Sequence, residues 1–411
     1  MTARNVVAVD LGAESGRVVL GRFDGSRVAL EEVHRFPTPP RQHDRHLRWD
    51  LDGLWSQIQH GLAAAGAAAG RVDAVGVDAW GVDYGLLDRD GRPLGDPVSY
   101  RDPRTRGLLE ELGVPTHLLP EVVEAGTDLG PVRPDLPGYA ATRVITPPSH
   151  DTASAVVGVP LTGPDAAYIS SGTWSLVGVE TREPVIDETA MAANLTNEGG
   201  AFGTIRLLRN SSGLWLLQES RRQWAREGRE FSYDELVRLA GSAPPGVSVV
   251  NGDHPEFAAP GDVPARIRAY CARTGQPVPE DEAALVRCVL DSLALGYRRT
   301  VDDLAAVTGR PATAVHIVGG GSRNQLLNQA VADVTGLPVV AGPVEATALG
   351  NLLVQLIALG DVQDLSQARE VVREGAGPEI RRVEPSGADR LAQRYGRYRE
   401  LAAADRVEVG A

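Results

Sequence analysis

Val6-Val-Ala-Val-Asp-Leu-Gly-Ala-Glu-Ser-Gly-Arg-Val-Val-Leu20 is the stretch whose reading decides the fold. A β-branched run, Val6 to Val9, ends in Asp10, passes Gly12 and Gly16 and gives way to a second apolar run from Val18. That order predicts a strand, a tight glycine-bearing turn and a returning strand. Such a turn offers backbone N–H groups and the Ser15 hydroxyl to an anion, with no large side chain in the way. Asp10, at the tip of a buried strand, is badly placed for packing and well placed to hold a hydrated Mg²⁺. Tyr168-Ile-Ser-Ser-Gly-Thr-Trp-Ser-Leu-Val-Gly-Val179 repeats the pattern. Either hairpin alone reads as an ordinary β-turn. Two in one chain point to related domains closing on one nucleotide.

Around these hairpins, 411 residues suffice for two domains with full cores, and 43% apolar with 23% charged residues is a globular composition. A net charge of −13 speaks against nucleic acid or an anionic membrane as partner. No apolar run approaches a membrane span, and Asp10 interrupts any signal-peptide core, so a cytoplasmic protein is expected. All 41 basic residues are arginine. Without lysine there is no Walker-A P-loop, no protein-kinase site and no Schiff-base chemistry, so any use of ATP rests on backbone donors and metal. Genomic bias is the simplest cause of the missing lysine. Cys271 and Cys288 lack metal-ligand spacing and read as free thiols.

Along the chain, strands are expected at Val6–Val9, Arg17–Phe23 and Val28–Phe36, then a helix over Leu51–Gly66 capped by Asp50. Its apolar stripe is Leu54, Trp55, Ile58 and Leu62, with Trp49 and Trp55 as core anchors. Val72–Val77 reads as a buried strand delivering Asp78-Ala-Trp-Gly-Val-Asp83 to the rim of a cleft. There Gly81 would admit a substrate to the backbone, and Trp80 or Tyr84 would lie against an apolar sugar face. A structural turn serves equally as the reading of that rim.

Ten of the 28 prolines fall in residues 93–148, which leaves room only for a short helix at Arg104–Leu112. Strand Arg143–Thr146 then leads into Ser149-His150-Asp151-Thr152, where a strand-to-helix corner can turn both His150 and Asp151 to a cleft. The plainer alternative is that Asp151 or Ser149 caps the helix Thr152–Val157.

Further on, Asn194–Gly200 and Leu207–Gly213 read as polar loops, Leu214–Arg226 as a helix, 240–265 as loop-rich and Glu282–Thr308 as the strongest helix. Val315–Val318 opens through Gly319-Gly320-Gly321 into the helix Asn324–Thr335, a corner that admits a ring or phosphate. It lacks the Gly-x-Gly-x-x-Gly of a dinucleotide fold. Val339–Ala341 and Ala346–Leu359 add a strand and a helix, and the tail beyond Gly375 is charged.

Taken together, Asp10–Arg17, Val77–Asp83, Tyr100-Arg-Asp102, Ser149–Ala155, Ser170–Ser175, Asn194–Gly200 and Val318–Asn324 resemble, in order, the motifs of the FGGY carbohydrate kinases. The resemblance runs to about residue 385. It implies an α/β protein of two actin-like (ribonuclease H-like) domains with a nucleotide and sugar cleft between them. The domains would be 1–160 and 161–385, followed by a charged tail, 386–411. It implies Mg²⁺-dependent transfer of the ATP γ-phosphate to O1 of L-rhamnulose.

By the same analogy Ala13, Glu14, Ser15, Gly16 and Arg17 would line the ATP phosphates, with Thr173, Gln218 and Gly320 near the nucleotide. Gly81, His150, Asp151, Thr152 and Asn210 would hold the sugar, and Asp151 matches the general base. Cys271 and Cys288 match a pair that can be disulfide-linked in a family member. Beyond a small-molecule sugar no partner is implied, and a monomer or weak homo-oligomer is expected. The chemistry agrees with the residues. Phosphoryl transfer has a loose transition state, so alignment and charge neutralisation dominate.

In one respect the chain departs from the family. Between Asp102 and Leu108, near 103–108, family members carry several tens of residues that add helices and part of the sugar-site wall. This shortened first domain keeps other readings open: an impaired or non-catalytic relative, a kinase for another ketose or polyol such as L-fuculose or D-xylulose, or an actin-like ATPase.

Overall fold

The computed structural model describes residues 3–411 except 101, 103–119, 133–136, 162, 378, 388 and 410–411. In chain order it begins with β1 (Arg4–Leu11), β2 (Ser15–Phe23), β3 (Val28–Pro37), β4 (Arg41–His43) and β5 (His46–Arg48). Next come α1 (Leu51–Ala69), β6 (Ala74–Ala79), β7 (Asp128–Pro131), β8 (Arg143–Ile145) and α2 (Asp151–Val157). The middle gives β9 (Ala166–Ser171), β10 (Trp174–Thr181), α3 (Glu188–Ala192), β11 (Thr196–Gly199), β12 (Ile205–Ser212), α4 (Trp215–Arg226), α5 (Tyr233–Ser242), α6 (Val263–Arg273) and α7 (Glu282–Thr308). The chain finishes with β13 (Ala314–Val318), α8 (Gln325–Thr335), β14 (Val339–Ala341), α9 (Ala346–Ala358), α10 (Leu365–Gly375), β15 (Arg381–Val383), α11 (Asp389–Ala392) and α12 (Tyr395–Val409).

These elements form two compact units, the first of residues 1–158, 201–203 and 346–375, the second of 159–200, 204–345 and 376–411. The expected ranges 161–385 and 386–411 are therefore corrected. Residues 346–375 join the first unit, and the tail packs into the second.

In the first unit a six-stranded sheet runs β3-β2-β1-β6-β8-β7. β1 pairs antiparallel with β2, setting Asp10 opposite Arg17, and parallel with β6, setting Asp10 beside Asp78. Val6 to Val9 are wholly buried, which explains their unbroken apolar run: a central strand covered on both faces has no polar side to show. The Asp50 side chain accepts from the Gly53 N–H and starts α1, which buries Ile58, Leu62 and Ala65 with Val7, Val9 and Val18. Trp55 departs from expectation; it is 54% exposed, whereas Trp49 is buried. α9 also packs on β1 and β6 and crosses α2 at touching backbones. A Cβ on Gly350 would lie 1.8 Å from the Ser154 carbonyl oxygen, so no larger residue fits there. The helix expected at Arg104–Leu112, with the shortened stretch 103–108, lies outside the described residues.

In the second unit a seven-stranded sheet runs β11-β12-β10-β9-β13-β14-β15. α7 is its main core helix: Leu285, Val289, Leu293 and Val301 join Ile169, Val177, Ile317 and Leu327 in one apolar cluster. Both segments expected as polar loops, Asn194–Gly200 and Leu207–Gly213, contain strands, β11 and β12, paired antiparallel. Ladder hydrogen bonds and the buried Leu207 and Leu208 override the local polar pattern. The loop-rich 240–265 stretch borders two helices, α5 and α6, each capped by its own Ser232 or Asp262. Leu391, Tyr398, Leu401 and Ala402 of the tail sit in the core, and Asp405 accepts from Tyr270 and Asn251. Cys271 and Cys288 are buried free thiols. Among the described residues no helix is long and apolar enough to cross a membrane.

Candidate active site

At the end of β1 the turn 12–15 is drawn together by Thr38, whose hydroxyl donates to the Gly12 carbonyl at 2.7 Å and whose N–H donates to the Glu14 carbonyl at 3.1 Å. The carbonyls that would repel an anion are thereby engaged. Ala13, Glu14 and Ser15 are partly exposed in this turn, while Gly16 is closed in by the Phe36 ring. Arg17 donates Nε and Nη2 to Oδ2 of the buried Asp10, at 2.8 and 2.6 Å.

Beside β1, strand β6 carries Asp78, and beyond β6 the corner 149–151 closes the row. The Ala79 N–H donates to the Ser149 carbonyl, and the Trp80 N–H donates to Leu11. His150, and neither Asp151 nor Ser149, occupies the N-cap position of α2, and its side chain makes no cap bond. Instead Asp151 Oδ1 accepts from the Thr152 N–H at 2.5 Å and from the Thr152 hydroxyl at 3.2 Å, with His150 Nε2 at 3.4 Å. The Asp151 side chain keeps 28% of its surface, so the carboxylate stays reachable. Gly81 lies against the His150 ring, where a Cβ would stand at 3.4 Å.

The first unit thus brings Asp10, Ala13, Glu14, Ser15, Gly16, Arg17, Gly81, His150, Asp151 and Thr152 onto adjoining strand ends. Their electrostatics are strained. Burial pushes the Asp151 carboxyl above the ordinary range; His150 opposes the shift and Asp10 adds to it. Burial, then the charge of Asp10, raises Asp78 far more, against the hydrogen bond it accepts from Asn351 at 2.5 Å. Asp78 Oδ1 is buried with no hydrogen-bond partner.

Oxygen donors of this kind suit Mg²⁺, which takes one or two carboxylates and completes its shell with phosphates and water. Among the described residues no group of three His, Cys, Asp or Glu side chains forms a cage. The fit is to that open type of site.

Thr173, Gln218, Gly320 and Asn210 belong to the second unit. The turn 171–174 holds α4, as the carbonyls of Gly172 and Thr173 accept the N–H groups of Leu214 and Trp215. Gln218 is one turn further along α4, and its Oε1 is buried without a partner. The glycine corner meets the same turn: a Cβ on Gly321 would lie 2.0 Å from the Ser171 hydroxyl, while at Gly320 it would meet open space. Asn210 does not join this group. Its exposed side chain lines a cavity of about 560 Å³ with Trp174, Trp215, Arg209 and Asp253.

The sequence reading missed Asp78, Thr38 and Asn351 as members of the site. A carboxylate inside the apolar run 74–79 was the available signal for Asp78. Thr38 and Asn351 gave none.

Comparison with known proteins bears on this arrangement. The C-terminal domain of the FGGY family of carbohydrate kinases matches residues 167–359. Rhamnulokinase from Bacteroides thetaiotaomicron is 36% identical, with 90% of this chain and 94% of that protein covered. Rhamnulokinase from Pectobacterium carotovorum is also 36% identical, over 499 aligned positions that cover 100% of this chain and 99% of the relative. The 411 residues of this chain cannot fill those positions, so that relative carries segments without a counterpart here. Among solved structures, xylulose kinase from Rhodospirillum rubrum superposes with a TM-score of 0.71 at 18% identity, covering 98% of each chain. Gluconate kinase from Lactobacillus acidophilus gives a TM-score of 0.73 at 14% identity, covering 100% of this chain and 99% of that one.

Proposed function

The chain belongs to the FGGY family of carbohydrate kinases and is a sugar kinase, and from that premise we propose that it transfers the γ-phosphoryl group of ATP to O1 of L-rhamnulose. One observation carries the proposal: Asp151 is held through Oδ1 by Thr152 beside His150 and keeps a reachable carboxylate at the strand ends that also bear Asp10 and Arg17.

Asp151 serves as the general base. Its raised affinity for protons makes it a stronger base than an ordinary carboxylate. His150, Gly81 and Thr152 orient the ketose, and His150 moderates the charge of Asp151. Arg17 and the turn 13–16 neutralise phosphate oxygens. Thr173, Gln218 and Gly320 serve the nucleotide, with the bare backbone at Gly320 leaving room for it. Asp10 would hold Mg²⁺, which supplies charge neutralisation on the phosphates when bound.

A second reading rests on the longer relatives. A chain lacking their extra segments would bind Mg·ATP and handle sugar poorly, because a wetter site weakens each contact and misplaces the attacking oxygen. A coupled ATP assay on the purified protein with L-rhamnulose, L-fuculose, D-xylulose and glycerol decides. Turnover dominated by L-rhamnulose supports the first reading. A larger kcat/KM on any other acceptor overturns it, and nucleotide binding without transfer selects the second.

A further inference from the structure

Trp80, Val82 and Asp83 form a corner whose chemistry the phosphoryl transfer above does not use. Trp80 lies over the buried Trp49 with ring centroids 4.1 Å apart. Both indoles donate to the same oxygen: Asp83 Oδ2 accepts from Trp49 Nε1 at 2.6 Å and from Trp80 Nε1 at 2.9 Å. Between them Val82 is held at φ +74°, in the left-handed region that a β-branched residue avoids, with 83% of its surface exposed. Such strain persists only where neighbours over-determine it.

Here the neighbours do so from several sides. The Trp80 N–H is tied to Leu11 at the end of β1 and the Trp49 N–H to the Pro97 carbonyl. β5, the strand just before Trp49, is anchored in turn by the buried Asp102, which accepts from the Leu47 N–H at 2.7 Å. Gly81, the next residue, touches the His150 ring. Trp80 is half-buried and directly precedes Gly81, one of the residues given to the sugar.

An indole has one hydrogen-bond donor and no acceptor. With its only N–H consumed by Asp83, Trp80 has nothing left to offer but hydrocarbon edge and π-face. We propose that Trp80 is the wall of an apolar subsite for the deoxygenated, methyl-bearing end of a ketose. Asp83 is the positioning residue that keeps this wall apolar and fixed by taking both indole N–H groups. This rests on the sugar-kinase reading of the first unit and adds the feature of the substrate that the unit selects. A hydroxyl placed against such a wall loses a water hydrogen bond and gains none, so a 6-deoxyketose is favoured over its 6-hydroxy counterpart by about 10–10²-fold.

The experiment compares L-rhamnulose with L-fructose, which differ only in the hydroxyl at C6, by kcat/KM and by tryptophan-fluorescence titration without ATP. The wild type prefers L-rhamnulose about 10–10²-fold. Trp80→Phe keeps most of that preference. Trp80→Gln, which adds donor and acceptor, cuts it at least about tenfold while the KM for ATP stays unchanged. Asp83→Ala does the same and also abolishes the exciton circular-dichroism couplet of the Trp49–Trp80 pair. Asp83→Asn, which retains an acceptor oxygen, restores both and guards against simple misfolding. Wild-type preference in Trp80→Gln, or an intact couplet and preference in Asp83→Ala, overturns the proposal. If the wild type phosphorylates neither ketose, the reading of the function fails on its own. The titration then still judges the subsite: a Trp80-dependent preference for the deoxy sugar supports it and equal affinities overturn it.

Discussion

The two units partner their buried charges differently. In the second unit Asp291 is buried in α7, yet its Oδ1 accepts from Arg287 Nε at 2.8 Å and its Oδ2 from the Gly246 N–H at 2.7 Å. Arg209, equally buried, donates to Asp303, Thr300 and the Ala193 carbonyl. In the first unit Asp78 meets only the neutral amide of Asn351 on one oxygen, and the other has no partner. Asp10 and Asp151 add negative charge around it. A buried pair that is satisfied serves the fold, whereas unsatisfied like charge costs stability and marks where chemistry is done. The first unit carries its carboxylates at that expense, whereas Asp291 and Arg209 of the second are each held by charged and polar partners.

The largest effect should come from Asp151→Asn, which preserves shape but removes the proton acceptor. kcat should fall by about 10²–10⁴, with ATP affinity by calorimetry nearly unchanged. Wild-type turnover would remove Asp151 from the chemistry and blunt the contrast at its source.

Next in size, Asp291→Asn should destabilise the second unit by about 3 kcal/mol, because it leaves Arg287 without its counter-charge. Denaturant unfolding followed from the second unit's tryptophans reads this directly. A change below about 1 kcal/mol would show that the pair is worth no more than a surface bridge.

Asp78→Asn, the same substitution in the first unit, should be neutral or stabilising by on the order of 1 kcal/mol at neutral pH. The amide oxygen can still accept from Asn351, and no buried charge remains. Its pH dependence has a definite sign. Folding raises the Asp78 pKa, so the folded state holds the proton more tightly than the unfolded one. The wild type is therefore least penalised below the unfolded value of about 3.9 and loses stability as pH rises from there through the raised folded value. The advantage of the variant should grow over that window. A variant less stable than wild type at pH 7 would mean that the Asp78 charge is compensated after all.

The smallest effect is expected at Val82→Gly, which relieves the left-handed backbone and should raise stability by at most about 1 kcal/mol. A small rise in Tm with weaker discrimination between the two ketoses would show strain retained for the site. A fall in Tm would mean the exposed valine packs better than its 83% exposure suggests.

Sequence alone determined the elements whose cause is local. The two hairpins followed from β-branched runs broken by glycine-bearing turns, and α7 from its apolar spacing. The motif order was enough to find the family, and it put Asp10, Arg17, Gly81, His150 and Asp151 among the residues of interest. Tertiary structure decided the rest. β11 and β12 are strands because each supplies the other's ladder, which no local polar count reveals. Trp55 kept helical spacing but fell outside the covered stripe, since periodicity gives a face and not its width. Leu391, Tyr398 and Leu401 look like a charged tail until the second unit's core receives them. Asn351 lies 273 residues from Asp78 in the chain, and its contact with Asp78 exists only once α9 packs on β6. Local propensity is written in neighbouring residues. Burial, and the shift it imposes on a carboxylate, depends on which distant segment arrives to exclude the water.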